Sequence, residues 1–242
     1  MPSVEIRPDV FWIGLNDRTT DLFEGIWPVA DAGVTYNSYL IRDEKKVIID
    51  LAKGFKTDEY FERIDALVPL AEIDYIVINH MEPDHTGAMR ALLRVPRKCT
   101  LIATPKAKEM LAAFYGITEN VRTVADGEEV SIGKRTLKFV HAPFVHWPET
   151  MVTYDVTDRI LFSCDAFGGY GALPGTIFET QSPWSEHLVR ILENERFAEH
   201  VVHVVDQHDP QALEHAPWNF LQVFAVLDRN HYRVQPVPMC GQ

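Results

Sequence analysis

Directly after an apolar run at residues 73–78, the chain reads NHMEPDHTG, which sets His80, Glu82, Asp84 and His85 within six residues. A run of this kind forms a strand buried on both faces of a sheet. Its carboxyl end is where α/β architectures place ligands. In an extended loop, residues two apart point the same way, so the spacing predicts that His80, Glu82 and Asp84 converge on one space. Pro83 is expected to hold this loop out of a helix, because its ring fixes φ and disfavours helical geometry at Glu82. A plain helix cap would need one acidic residue, Asp84. Four ligand-type side chains predict a metal site instead.

Composition narrows the chemistry. Of 242 residues, 46% are hydrophobic and 24% charged, values of a globular chain able to bury a core. The net charge of −12 and the lack of a basic run argue against a nucleic-acid partner, whose phosphates would be repelled. No stretch reaches the roughly 20 apolar residues of a membrane span. The N-terminus MPSVEIRPDV lacks the layout of a signal peptide, so the expected location is the cytoplasm, with no membrane partner. Cys99, Cys164 and Cys240 are widely spaced and odd in number, which argues against a disulfide framework or a cysteine-based zinc knuckle. Ten histidines are therefore the more informative count.

No repeat or Gly/Ser linker interrupts the chain, so residues 1–242 are expected to form a single domain. Strand patterns occur at residues 10–14, 35–41, 46–50, 73–78, 100–103 and 121–124, with a hairpin loop at 42–45. Helical patterns occur at 57–68, with Tyr60, Phe61, Ile64 and Leu67 on one face, and at 88–95 and 106–115. A second half restarts with hairpins at 129–140 and 151–164, and ends with helices at 184–200 and 218–228 and a strand at 233–237. Strands followed by helices, twice over, predict an α+β fold of two mixed sheets with helices outside.

Two more ligand-type residues sit at strand ends: His146 in FVHWPE, and Asp165 after ILFSC. Together, NHMEPDHTGAM, FVHWPETMVTYD, SCDAFGGYGALPGTIF and the N-terminal LFEGIWPVADAGVTYNSYLI resemble the diiron domain of flavodiiron proteins, the A-type flavoproteins. The resemblance covers about residues 10–180 and fades beyond.

That resemblance implies a metallo-β-lactamase-like αββα sandwich. It also implies one iron held by His80, Glu82 and His146, a second held by Asp84 and His85, and Asp165 bridging them. The family's final ligand is a histidine in a turn after the last strand. Here Cys240 stands nearest, in Pro238-Met239-Cys240-Gly241, and His208, His215 and His231 are alternative donors. The family's flavodoxin domain has no counterpart in this sequence, so the chain is expected to carry two irons without FMN, with manganese or zinc as substitutes. Electrons would then come from a separate donor, rubredoxin or a flavoprotein. Relatives of this kind are commonly homodimers.

Three functions follow for comparison: an O2 or NO reductase, an oxygen-binding sensor that signals through a protein partner, and a zinc hydrolase of the same superfamily. Hydrolytic relatives generally place histidine where Glu82 stands. A carboxylate there adds hard oxygen donation, which favours iron or manganese. Around the metals, Trp147, Tyr154, Phe167, Tyr170, Phe23 and Trp27 are candidates for an aromatic wall. Glu24 is a candidate proton donor, because some relatives place a histidine there. Cys99 and Cys164 read as small buried hydrophobes.

Overall fold

Alternation along the apolar strands decides how the layers meet. In a strand, successive side chains face opposite sides. Accordingly Leu40, Ile48, Ile76 and Leu101 join one core with Tyr60, Ile64, Ala107 and Leu111 of the helices. Their neighbours Ile41, Val47, Val77 and Ile102 join a second core with Val130, Leu137, Phe139 and Phe162. Each fully buried side chain of this size contributes about 1.5–3 kcal/mol, so slipping a strand by one residue would exchange its two faces at large cost.

The structure, a computed structural model, describes residues 2–94, 99–166 and 171–172. Its first sheet has the order Val4–Arg7, Val10–Trp12, Tyr39–Arg42, Lys46–Ile49, Tyr75–Val77, Thr100–Ala103, Val121–Thr123. The strands up to Lys46–Ile49 pair antiparallel, and the remaining three follow in parallel. The second sheet comprises Glu129–Ser131, Thr136–His141, Met151–Asp155 and Ile160–Phe162, antiparallel throughout its described strands. Phe139 faces the first sheet, while Val140, Val152 and Leu161 cluster on the opposite face. Helices Thr57–Asp65 and Pro105–Tyr115 cover the outer face of the first sheet. Thr104 caps the second of these, its hydroxyl accepting the Ala107 N–H at 3.0 Å, with Pro105 where no N–H is needed.

Several boundaries differ from the sequence pattern. The run at 35–41 breaks into Val34–Tyr36 and Tyr39–Arg42, which belong to different sheets. Ser38 interrupts it by donating to the Asp50 carbonyl (2.8 Å) and pairing with the Tyr60 hydroxyl (2.8 Å). The helix expected to reach residue 68 stops at Asp65, whose carboxylate accepts the Leu70 N–H after Pro69. The strand Val4–Arg7, with polar Glu5 and Arg7, and the three-residue strand Leu15–Asp17, which pairs with Val34–Tyr36, carry too little pattern to have been read. The helices expected at 184–200 and 218–228 and the strand at 233–237 lie outside the described residues. Among the described residues no helix is long and apolar enough to cross a membrane.

At the hairpin end of the sandwich, Arg135 ties the sheets together. Its Nε lies 2.7 Å from Asp158 and 3.5 Å from buried Asp155, and another of its nitrogens donates to the Pro8 carbonyl. Asp43 accepts the N–H groups of Lys134 and Arg135 at 3.0 and 2.9 Å. Removing this cation from a buried cluster leaves its carboxylates uncompensated, a loss of about 3–5 kcal/mol. Arg135→Ala is expected to lower the unfolding free energy by that amount, read as a lower urea midpoint at an unchanged slope of the transition. An unchanged midpoint would show that the cluster does not hold the sheets.

Candidate metal centre

Asn79 builds the platform on which the candidate donors stand. It is fully buried at the end of the Tyr75–Val77 strand. Its N–H donates to Asp50 at 2.7 Å and its amide nitrogen to the Phe162 carbonyl at 3.2 Å. Its side-chain oxygen accepts the Thr153 hydroxyl at 2.7 Å, and its carbonyl accepts the Met151 N–H at 2.9 Å. One side chain thereby fixes the ends of strands from both sheets, where the loops carrying His80, His146 and Asp165 begin.

The loop after Asn79 differs from the extended form expected of it. Glu82 is extended (φ −61°, ψ 149°), as a residue before proline should be, but Pro83 opens the helical turn Pro83–Thr86. A first helical position suits proline, since its missing N–H would have no partner there. The His85 and Thr86 N–H groups return to the Glu82 carbonyl at 3.0 and 3.1 Å. This turn moves Asp84 away from His80 and Glu82 and joins it with His85.

Two groups of donors result. His80, Glu82, His146 and Asp165 present ligand atoms within 4.8 Å of one another, and so do Asp84, His85 and Asp165. Asp165 belongs to both. Its Oδ2 lies 3.2 Å from His80 Nε2 and 3.4 Å from His146 Nε2, while its Oδ1 lies 2.6 Å from His85 Nε2. Glu82 Oε2 is 2.9 Å from His146 Nε2 and 3.2 Å from His80 Nε2, and the two imidazole nitrogens are 3.1 Å apart. His85 Nε2 is 3.4 Å from Asp84 Oδ2.

Behind each of two imidazoles stands a buried carboxylate that is not among the expected ligands. Glu149 Oε1 lies 3.0 Å from His80 Nδ1 and accepts the Met81 N–H at 2.9 Å. Asp50 Oδ2 lies 3.6 Å from His85 Nδ1. Asp50 ends the strand Lys46–Ile49, the kind of position that drew attention to Asp165, and Glu149 follows His146 by three residues.

The electrostatics test whether this donor set fits a metal. Burial raises the Glu149 pKa, but the hydrogen bond to His80 outweighs it and the carboxyl lies below its usual value. An ionised Glu149 requires His80 to carry its proton on Nδ1, leaving the Nε2 lone pair aimed at Glu82, Asp165 and His146. Acceptors that face acceptors in a dry site need a proton or a cation between them. Without metal the proton serves. Burial opposes charging of the histidines, yet hydrogen bonds to Glu149 and Glu82 raise the pKa of His80, and the charges of Asp165 and Asp84 raise that of His85. His146 is pushed up to about 10 against its own desolvation, by Asp165 and Glu82. A divalent cation would satisfy the same atoms, so the set fits a metal pair.

The other expected residues are placed less closely. Trp147 packs its ring edge-on to His80, with centroids 5.2 Å apart, and lies 6.2 Å from His146. Glu24 forms an ion pair with Lys53 at 2.7 Å. Phe23 belongs to the core beneath the outer helices, Trp27 packs against that core partly buried, and Tyr154 packs, also partly buried, beside Val140 and Val152. Cys164 is buried, and its thiol pKa is raised by desolvation and by the charges of Asp165 and Asp50; Cys99 is buried as well. Phe167, Tyr170, Cys240, His208, His215 and His231 lie outside the described residues.

Two layered sheets with imidazole and carboxylate groups gathered at one end define a metallo-β-lactamase-like fold. The chain belongs to the family described as ODP family beta lactamase, which matches residues 34–214 and so extends past residue 180, where the motif resemblance fades. It is 36% identical over 168 residues to the anaerobic nitric oxide reductase flavorubredoxin of Vibrio vulnificus, covering 69% of this chain and 34% of that one. The crystal structure of the flavodiiron protein from Giardia intestinalis matches with a TM-score of 0.71 and 36% identity, over 78% of this chain and 46% of the other. Rubredoxin oxygen:oxidoreductase from Desulfovibrio gigas matches with a TM-score of 0.76 and 28% identity, over 81% and 49%. The chain thus spans less than half the length of these relatives, corresponding to about their N-terminal diiron part.

The raised histidine values give the metal-free protein a pH signature. Stability from a raised pKa is complete below the unfolded value of about 6.5 and is lost as pH rises through the folded value. The melting temperature in chelator is therefore expected to fall between the ordinary histidine value of 6.5 and the value of about 10 reached by His146. His146→Ala should flatten part of that fall in calorimetric scans. A wild-type profile level across this window would contradict the protonated cluster.

Proposed function

We propose that this chain is a non-haem diiron unit that reduces O2 or NO with electrons from a separate donor. One observation carries the reading: the two oxygens of Asp165 face different donor groups, Oδ2 toward His80 and His146 and Oδ1 toward His85. In this reading His80, Glu82 and His146 hold one iron, Asp84 and His85 hold the other, and Asp165 spans both. When bound, an iron pair supplies the electrons that O2 or NO accepts. The named relatives that act on nitric oxide and on oxygen support both substrates. Rubredoxin or a flavoprotein fits as the donor.

The side chains account for the selectivity. His80, His85 and His146 are neutral when they ligate, and Glu82, Asp84 and Asp165 bring −3. One hydroxide completes the balance against two divalent ions. Carboxylate-rich, hard donation favours iron or manganese over zinc, which weighs against hydrolysis. Glu149 holds His80 by its far nitrogen, so that Nε2 stays turned inward. The Trp147 ring packs edge-on against His80 and His146 and restricts their rotation.

Anaerobic titration with ferrous ion is expected to end at two irons per chain. On adding O2 with reduced rubredoxin as donor, consumption should continue far beyond one O2 per iron pair; uptake that stops at one would establish an oxygen-binding module instead. Asp165→Ala should drop loading to one iron or less, because it removes the span and leaves two cations repelling each other. Two tightly held irons in that variant would refute the assignment. Glu82→His should raise the zinc-to-iron ratio when both metals compete. An unchanged ratio would sink the charge argument.

A further inference from the structure

The two donor groups differ in what stands behind their histidines. His80 Nδ1 has a full hydrogen bond to Glu149 at 3.0 Å, and the Thr150 hydroxyl lies 3.4 Å away. Glu149 is fully enclosed, and its Oε2 has no hydrogen-bond partner among the described residues. Its Oε1 therefore faces the Nδ1 of His80 and the Met81 N–H. His85 Nδ1 lies 3.6 Å from Asp50 Oδ2, beyond hydrogen-bond length. Asp50 Oδ1 is engaged by the Asn79 N–H at 2.7 Å. A carboxylate that accepts the far N–H of a ligating imidazole fixes its tautomer and makes it a stronger donor.

We propose that Glu149 is a positioning residue that makes the two metal positions unequal, so that an iron held by His80 gives up its electron at a lower potential because of Glu149. The inference rests on the diiron reading above and deepens it. Each oxidation removes one electron from one ferrous ion, taken up by the electrode mediator in the measurement below, and no bond to Glu149 is made or broken. The difference in donor count between the groups contributes its own inequality. The Glu149 contribution is the part that disappears when its charge is removed and its shape is kept.

Four variants, Glu149→Gln, Glu149→Leu, Glu149→Asp and Asp50→Asn, isolate that part. Glu149→Gln keeps an oxygen that can accept the His80 Nδ1 proton but removes the charge. Glu149→Leu removes both, and Asp50→Asn removes the charge behind His85. All are loaded anaerobically with ferrous ion, counted for iron, checked for melting temperature, and titrated electrochemically with Mössbauer spectra recorded at each stage.

Glu149→Gln is expected to hold two irons, with one subsite shifted to higher potential and altered in its spectrum while the other is unchanged. Asp50→Asn should produce a smaller shift, in the opposite subsite. Glu149→Leu should weaken iron binding on the order of 10- to 100-fold, with Glu149→Asp recovering part of the loss. A two-iron Glu149→Gln protein with both potentials at wild-type values would overturn the proposal. A wild-type chain that fails to take up two irons would instead refute the diiron reading itself, so the two failures are told apart.

Discussion

Uncompensated negative charge in a dry place is the condition on which this architecture turns. Glu82, Asp84, Asp165, Glu149 and Asp50 are all buried, around His80 and His85, at the end where the two sheets meet. Burying an ion without a partner costs several kcal/mol, so the fold is stable only if positive charge enters the cluster. Protonated imidazoles can supply it, and so can metal ions. The histidines therefore serve two states, as cations in one and as neutral ligands in the other, and exchange between them couples metal uptake to proton release.

The same condition is met differently at the opposite end. There Asp43 and Asp155 are equally enclosed, but Arg135 is built into the chain and remains charged at every working pH. The resulting contrast is functional. One end of the sandwich carries a permanent counter-ion and acts as a fastening, while the other leaves its counter-ion exchangeable. Asn79 and the intersheet core of Val77, Ile102, Phe139 and Phe162 keep the exchangeable end in register with the fixed one.

Much of this could be read before any coordinates. The strand at 100–103 and the antiparallel hairpins of the second sheet carry their alternation openly, and Thr100–Ala103 matches to the residue. The gathering of His80, Glu82, Asp84 and His85 was visible as a local cluster, but its internal division was not. An extended loop would align His80, Glu82 and Asp84, whereas the turn begun by Pro83 separates Asp84 from them. Proline argues against a helix interior and in favour of a helix start, and sequence alone does not say which applies. Glu149 and Asp50 were missed because their partners, His80 and His85, are 69 and 35 residues away in the chain. Such pairing is set by tertiary structure and leaves no local trace.

The turn that carries Asp84 and His85 also rests against the segment following Asp50. The Leu51 N–H donates to the His85 carbonyl and the Ala88 N–H to the Ala52 carbonyl, both at 2.9 Å. A Cβ added at Gly54 would come within 2.9 Å of the Gly87 carbonyl oxygen. Main chain thus meets main chain, with no side chain as a spacer. The separation between the two donor groups is in consequence a property of the scaffold, so that substitutions among the donors can retune which ion is held while the gauge of the pair is inherited unchanged.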